Sequence, residues 1–211
     1  MSEALDAILE SGLTQMGIEL GSEARNRQLE FVDLLARWNR VYNLSAVRRP
    51  REMVARHILD SLSLLGHLRG PRVLDAGTGA GLPGIPLALA RPDLEFVLAD
   101  GSGKRIRFVR HVVRQLGLEN VEPVQARLED LSLDRPPDDI VARALAPLPR
   151  LVELVAPWLH GTARLLAMKG RLETGEIEGL GSEYVARTVW LDPPGQTGQR
   201  SLVIVTHQQP G

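Results

Sequence analysis

Val73-Leu74-Asp75-Ala76-Gly77-Thr78-Gly79-Ala80-Gly81-Leu82-Pro83-Gly84 is the stretch from which the rest of this sequence is best read. A short apolar run ends in a carboxylate, and a glycine-dense turn leads straight into the apolar segment Ile85 to Ala90. That order reads as strand, tight turn and helix, with Pro83 suited to the first helical position. Gly77, Gly79 and Gly81 can take backbone angles closed to other residues and admit a ligand close to the main chain. The unpaired N–H groups of a helix start complete the outline of a nucleotide-like site, with a purely structural turn as the alternative.

Two ligand classes satisfy the loop. Gly79-x-Gly81-x-x-Gly84 fits the dinucleotide fingerprint, which seats a pyrophosphate on the helix start. Asp75-x-Gly77-x-Gly79-x-Gly81 fits the loop of S-adenosylmethionine methyltransferases, with Asp75 near the amino acid end of the cofactor. Asp100, closing Glu95-Phe96-Val97-Leu98-Ala99-Asp100, could hold ribose hydroxyls in either class. Outward from the loop, strands are predicted at 72–75, 95–100, 121–125, 139–143 and 163–168, and helices near 83–91, 103–117 and 147–158. This alternation calls for a mostly parallel sheet with helices on both faces, an α/β fold. A helical patch around 173–180 precedes two more strand-like runs, Tyr184 to Leu191 and Ser201 to Thr206, joined by a turn-rich link. A parallel sheet that finishes in a C-terminal antiparallel hairpin is the Rossmann-like arrangement of S-adenosylmethionine-dependent methyltransferases.

Upstream, residues 1–21 read as a short helix and turn, with Ser22 as N-cap of the next helix. Phe31, Leu34, Leu35, Trp38, Val41 and Tyr42 give that helix one apolar face. Pro50 opens another, with Val54, Ile58, Leu62 and Leu65 on one side and Arg51, Arg56, Asp60 and Ser63 on the other. Residues 1–69 are expected to form an N-terminal helical cap and 70–211 an α/β domain of the methyltransferase type. The sequence has no cysteine, which excludes disulfides, thiolate metal sites and a cysteine nucleophile. The longest uncharged run, Ala76 to Ala90, is 15 residues and too short and broken to span a bilayer. The acidic start, Met1-Ser2-Glu3-Ala4-Leu5-Asp6, lacks a secretion pattern, so the expected address is cytoplasmic.

The net charge of −1 makes the whole chain no magnet for nucleic acid, yet its cations are bunched. Lys104, Arg107, His111 and Arg114 fall on one helix face beside Arg105 and Arg110, and Arg48-Arg49-Pro50-Arg51 forms a second cluster. They could grip RNA phosphates, although a solvated helix face explains them as well. Lys169, after the fifth strand, adds a cation near the presumed site. Ligands in such sheets sit beyond the carboxyl ends of the strands. Leu128 and Glu129 would there meet the adenine edge of the cofactor, unless Glu129 merely opens a helix. Arg143 would lie at the site mouth near a cofactor carboxylate or substrate phosphate, or else pair with Asp75 or Glu129. No metal-ligand spacing and no Gly-x-Ser-x-Gly elbow occurs. The Asn/Asp-Pro-Pro-aromatic element used on exocyclic amines is replaced by Arg143-Ala144-Leu145-Ala146-Pro147, and pyrimidine carbon-5 chemistry needs a cysteine. An acceptor with a free lone pair, such as guanine N7, needs only positioning and electrostatics.

Trp38-Asn39-Arg40-Val41-Tyr42-Asn43-Leu44-Ser45, Arg56-His57-Ile58-Leu59-Asp60-Ser61-Leu62 and the loop from Asp75 to Pro86 together resemble the RsmG (GidB) family of 16S ribosomal RNA guanine-N7 methyltransferases. Lys104-Arg105, Arg143-Ala144 and Met168-Lys169-Gly170 recur in the same order, so the resemblance runs over roughly residues 25–206. It implies S-adenosylmethionine as methyl donor and 16S ribosomal RNA of the small subunit as partner, with neither DNA nor a membrane. It also implies cofactor contacts at Gly77, Leu82, Leu128, Glu129 and Arg143; Asp75, Gly79 and Asp100 follow from the wider methyltransferase pattern. Gly101-Ser102-Gly103 departs from the family, which often has Ser and a larger apolar residue there.

Overall fold

The structure is a computed structural model that describes residues 2–170, 172, 175–196 and 198–208. Seven strands form one sheet: β1 (Arg72–Ala76), β2 (Glu95–Asp100), β3 (Val121–Gln125), β4 (Asp139–Arg143), β5 (Arg164–Lys169), β6 (Tyr184–Leu191) and β7 (Arg200–His207). Their order is β3-β2-β1-β4-β5-β7-β6. β1 to β5 are parallel, and β7 pairs antiparallel with both β5 and β6. Every residue of β1 is buried, as a central strand covered on both faces requires. The strand order reverses between β1 and β4, which places the natural ligand crevice beyond their carboxyl ends.

Helices α5 (Gly84–Ala90) and α6 (Gly103–Leu116) cover one face and α7 (Leu148–Val155) the other. α6 buries Ile106, Val109, Val112 and Leu116 and stops at Gly117, whose φ of +58° fits a left-handed cap. The cap helices α1 (Ser2–Gln15) and α2 (Ser22–Tyr42) join the core under the first face. Phe31 and Trp38 meet the Phe108 ring of α6 at centroid distances of 6.3 and 5.4 Å. That packing fixes the C-terminal end of α2 relative to the strand ends.

Several boundaries depart from expectation. Gly21, not Ser22, is the N-cap of α2. Pro83 follows a cis peptide bond and caps α5 from outside, so the helix starts at Gly84. Residues 175–179 form turns rather than a helix, because Gly175, at φ +88°, and Gly179 interrupt them; residues 173 and 174 lie outside the described residues. The largest difference lies after Pro50. The single amphipathic helix is instead α3 (Pro50–Met53), a π-helical turn Val54–Leu59, and α4 (Asp60–Leu62). Burial is continuous from His57 to Leu62, so His57 and Asp60 are enclosed with the apolar residues rather than left on a wet face. A π turn inside a helix is often a functional feature.

Candidate active site

The glycine loop sits at the reversal point and is pinned from below. Gly77 and Thr78 both donate their N–H to the Ala99 carbonyl at 2.9 Å. Asp75 has no exposed surface; its Oδ2 accepts from the Thr78 hydroxyl at 2.6 Å and from the Gly84 N–H at 2.8 Å. Burial pushes its carboxyl up to about 6 against the pull of those two hydrogen bonds. Asp75 thus braces the loop from beneath instead of lining either adjoining cavity, and its Oδ1 has no hydrogen-bond partner.

Gly77 and Gly79, at φ +71° and +59°, face the cavities, whereas a side chain at Gly81 would strike Ile85 and one at Gly84 would strike Asp75 and Leu98. Two glycines of the dinucleotide fingerprint are therefore used for internal packing. The cavity-facing pair, Gly77 and Gly79, falls within the methyltransferase pattern, and Gly77 is no part of the dinucleotide fingerprint.

On one side of Gly77 lies a cavity of about 260 Å³ whose walls include Asp100, Gly101, Leu128, Glu129 and Leu145. Asp100 accepts from Gly79 N–H at 3.0 Å, Ser102 N–H at 2.8 Å and the Arg105 guanidinium at 3.2 Å. A carboxylate offers about four acceptor positions, so Asp100 keeps room for a ligand hydroxyl. Glu129 lies in a short helical turn, Leu128–Asp130, and pairs with Arg150 at 3.0 Å on the rim. On the other side of Gly77, a cavity of about 420 Å³ is lined by Ser45, Gly79, Leu82, Arg105 and Arg143 among others. Leu145, 38% exposed, stands between the two.

A third cavity, of about 290 Å³, opens beyond Arg143 and Ala144, both of which also line the second. Arg143 pairs with Asp60 at 3.1 Å and donates to the Arg56 carbonyl, so the expected pairing with Asp75 or Glu129 is not the one formed. Ala144 holds φ +50°, a left-handed geometry that a non-glycine residue adopts at a cost, at the junction of the two cavities. His57 lines the third cavity: its Nδ1–H donates to the Arg56 carbonyl at 2.9 Å, leaving Nε2 to accept from the Ser45 hydroxyl at 2.8 Å. Burial, reinforced by Arg143, lowers its pKa to about 4, so it is a neutral structural link. Asn39 completes the link, donating to the Val47 carbonyl at 2.9 Å and accepting from Ser45 N–H at 2.8 Å. These bonds hold the segment after α2 against the cofactor-sized cavity.

The cations expected to meet RNA divide into two groups. Arg107, Arg110 and Arg114 are exposed on α6. Lys104 is exposed but donates to the Tyr42 carbonyl at 2.8 Å, and His111 packs on Trp38 with centroids 5.2 Å apart. Arg105 pairs with Asp100 at 3.2 Å while staying about half exposed, and Lys169 is largely buried in the third cavity, paired with Glu176 at 3.0 Å. In both, an acid from another element pairs with the cation, unlike at Arg107, Arg110 and Arg114, for which no salt bridge forms among the described residues. Missed at the sequence level were Ser45, His57, Asp60, Leu145 and Arg200 as cavity-lining groups. The polar side noticed on the Pro50 helix was the available signal for Asp60; nothing local marked Arg200.

Fold and site together define a Rossmann-like methyltransferase. Solved structures agree at the level of fold: a precorrin-6y C5,15-methyltransferase from Geobacter metallireducens has a TM-score of 0.52 at 17% identity, covering 80% of this chain and 92% of that one. The O-methyltransferase TomG from Streptomyces achromogenes, in complex with SAM, gives 0.54 at 16% identity over 85% and 90%. The profile of the family rRNA small subunit methyltransferase G (GidB) matches residues 25–192, and the chain belongs to that family. The ribosomal RNA small subunit methyltransferase G of Chromohalobacter salexigens is 48% identical over 96% of this chain and 98% of its own. That of an Escherichia coli strain is 43% identical over 93% and 96%. Among the described residues no helix is long and apolar enough to cross a membrane.

Proposed function

We propose that this chain transfers the methyl group of S-adenosylmethionine to N7 of a guanine in 16S ribosomal RNA of the small subunit, working in the cytoplasm. The observation that carries the reading is a row of three adjoining cavities that share lining residues. A glycine-floored pair of cavities with an acidic wall meets, at Arg143 and Ala144, a separate cavity ringed by cations. The residues present fit the cofactor: Gly77 and Gly79 admit it to the main chain, Leu82 and Leu128 give apolar walls, and Asp100 can accept from a ribose hydroxyl. Glu129 stands at the rim for a polar edge of the base, Arg143 can meet a carboxylate, and Asp75 acts through the loop it braces. When bound, S-adenosylmethionine supplies an electrophilic methyl group on a sulfonium. Guanine N7 brings a free lone pair: the new N–C bond forms as the C–S bond breaks, the bonding pair leaves on sulfur, and no proton has to leave N7. No general base is therefore needed, and the protein's task is alignment and exclusion of water. Arg107, Arg110 and Arg114, with Lys104, offer phosphate contacts on the α6 face.

The test is methyl transfer from labelled S-adenosylmethionine to small subunits lacking the modification, followed by nucleoside digestion and mass spectrometry. Labelled 7-methylguanosine is expected. Label on another nucleoside, or none on naked RNA, assembly intermediates and mature subunits alike, refutes the reading.

A further inference from the structure

We propose that the third cavity receives the acceptor guanine and that Asp60 reads its Watson–Crick edge, accepting from N1–H and the 2-amino group. The inference rests on the guanine-N7 reading above and adds the recognition that makes it selective. Asp60 is 4% exposed and lines this cavity. Its Oδ2 accepts from Arg143 at 3.1 Å, but Oδ1 has no hydrogen bond; Arg200 Nε lies 3.4 Å from Oδ1 without hydrogen-bonding geometry. A buried carboxylate oxygen without a hydrogen bond is costly unless something else completes it. Two flanking guanidiniums balance the charge without occupying that acceptor.

Oδ1 is open to one donor, and Oδ2, which already accepts from Arg143, has a further acceptor position, so the carboxylate suits a pair of adjacent donors. Of the four bases only guanine presents two on one edge, N1–H and the 2-amino group, while adenine and cytosine would set a ring-nitrogen lone pair against the carboxylate. At about 290 Å³ the cavity is at the small end for ligand sites, suited to one base out of its stack. A guanine held by that edge keeps N7, on the far side of its ring system, unencumbered. N7 methylation leaves a positive charge on the purine and makes N1–H a stronger donor. Hydrogen bonds to Asp60 therefore tighten as the N–C bond forms, so the residue acts more on kcat than on KM.

The test crosses Asp60→Asn with inosine, which lacks only the 2-amino group, placed by RNA ligation at the mapped target position. The wild type is expected to methylate inosine about 10- to 100-fold more slowly than guanosine. Asp60→Asn is expected to lose a similar factor on guanosine, mainly in kcat, and to treat the two RNAs alike within about 2-fold, as a shared contact requires. A wild type that does not distinguish the two RNAs overturns the proposal without recourse to any variant. So does an Asp60→Asn enzyme that binds S-adenosylmethionine and keeps the full preference for guanosine, because Asp60 is then only a partner for Arg143. A wild type that makes no 7-methylguanosine fails the underlying reading and the proposal with it.

Discussion

Gly77→Ala separates the fold from the site. The glycine holds φ +71°, and an added Cβ would lie 2.6 Å from Leu145 Cδ1 and 3.0 Å from Cδ2. The backbone cost of a left-handed alanine is about 1–2 kcal/mol. The clash adds little to the folded state, because Leu145 is 38% exposed and its far end can swing away. For a chain of this size that cost lowers Tm by roughly 2–8 °C. Leu145 lines both of the cavities it divides, so displacing it reshapes their shared wall, and the methyl itself narrows the floor between them. Affinity for S-adenosylmethionine, measured by calorimetry, should therefore fall by at least about 10-fold, equivalent to 1.4 kcal/mol, well out of proportion to any change in the folded state. Leu145→Ala in the same chain removes the clash but not the strained φ. It should restore much of the affinity while leaving Tm low. Unchanged affinity in Gly77→Ala refutes the seat assigned to the cofactor; a double variant no better than the single one refutes the role of Leu145.

Asp75 and His57 should give opposing pH dependences of stability. His57 titrates near 4 when folded and 6.5 unfolded, so the unfolded chain takes up its proton first and stability is lost as pH falls from about 6.5 towards 4. Asp75 titrates near 6 when folded and 3.8 unfolded, so its stabilisation is complete below about 3.8 and lost as pH rises through about 6. In urea titrations across pH 4–6.5, Asp75→Asn should make stability climb more steeply with pH than in the wild type, by up to about 3 kcal/mol, and His57→Gln less steeply by a similar amount. Curves parallel to the wild type would show that neither group is perturbed by burial. On the outer face, Arg107→Glu with Arg110→Glu should weaken RNA binding and flatten its dependence on log salt by roughly 0.7–0.9 for each phosphate no longer neutralised, with cofactor affinity intact. An unchanged salt slope would mean the RNA lies elsewhere.

How much of this was legible in the residues depends on the range of the interaction that decided it. The strands, the hairpin and the glycine loop were readable because period, turn residues and loop spacing are local, and all five parallel strands fall within a residue or two of where the pattern put them. The basic face of α6 was half readable. Helical spacing gave Arg107, Arg110 and Arg114, but only the fold reveals that Arg105 meets Asp100 and that Lys169 meets Glu176. Asp60 lies at the far limit. Its partners Arg143 and Arg200 are 83 and 140 positions away, on strands that no periodicity joins to α4. A cation's role is set by the nearest acid in space, and for Arg143 and Arg200 that acid, Asp60, sits across the cap–sheet boundary. On the proposed reading the glycine loop marks the cofactor's seat in the sequence, whereas the residues proposed to select an acceptor base come together only once the cap is packed against the ends of β4, β5 and β7. If that division of labour is right, Asp60→Asn should change which base is methylated or how fast, and Gly77→Ala should change whether the donor binds, with little crossover between the two.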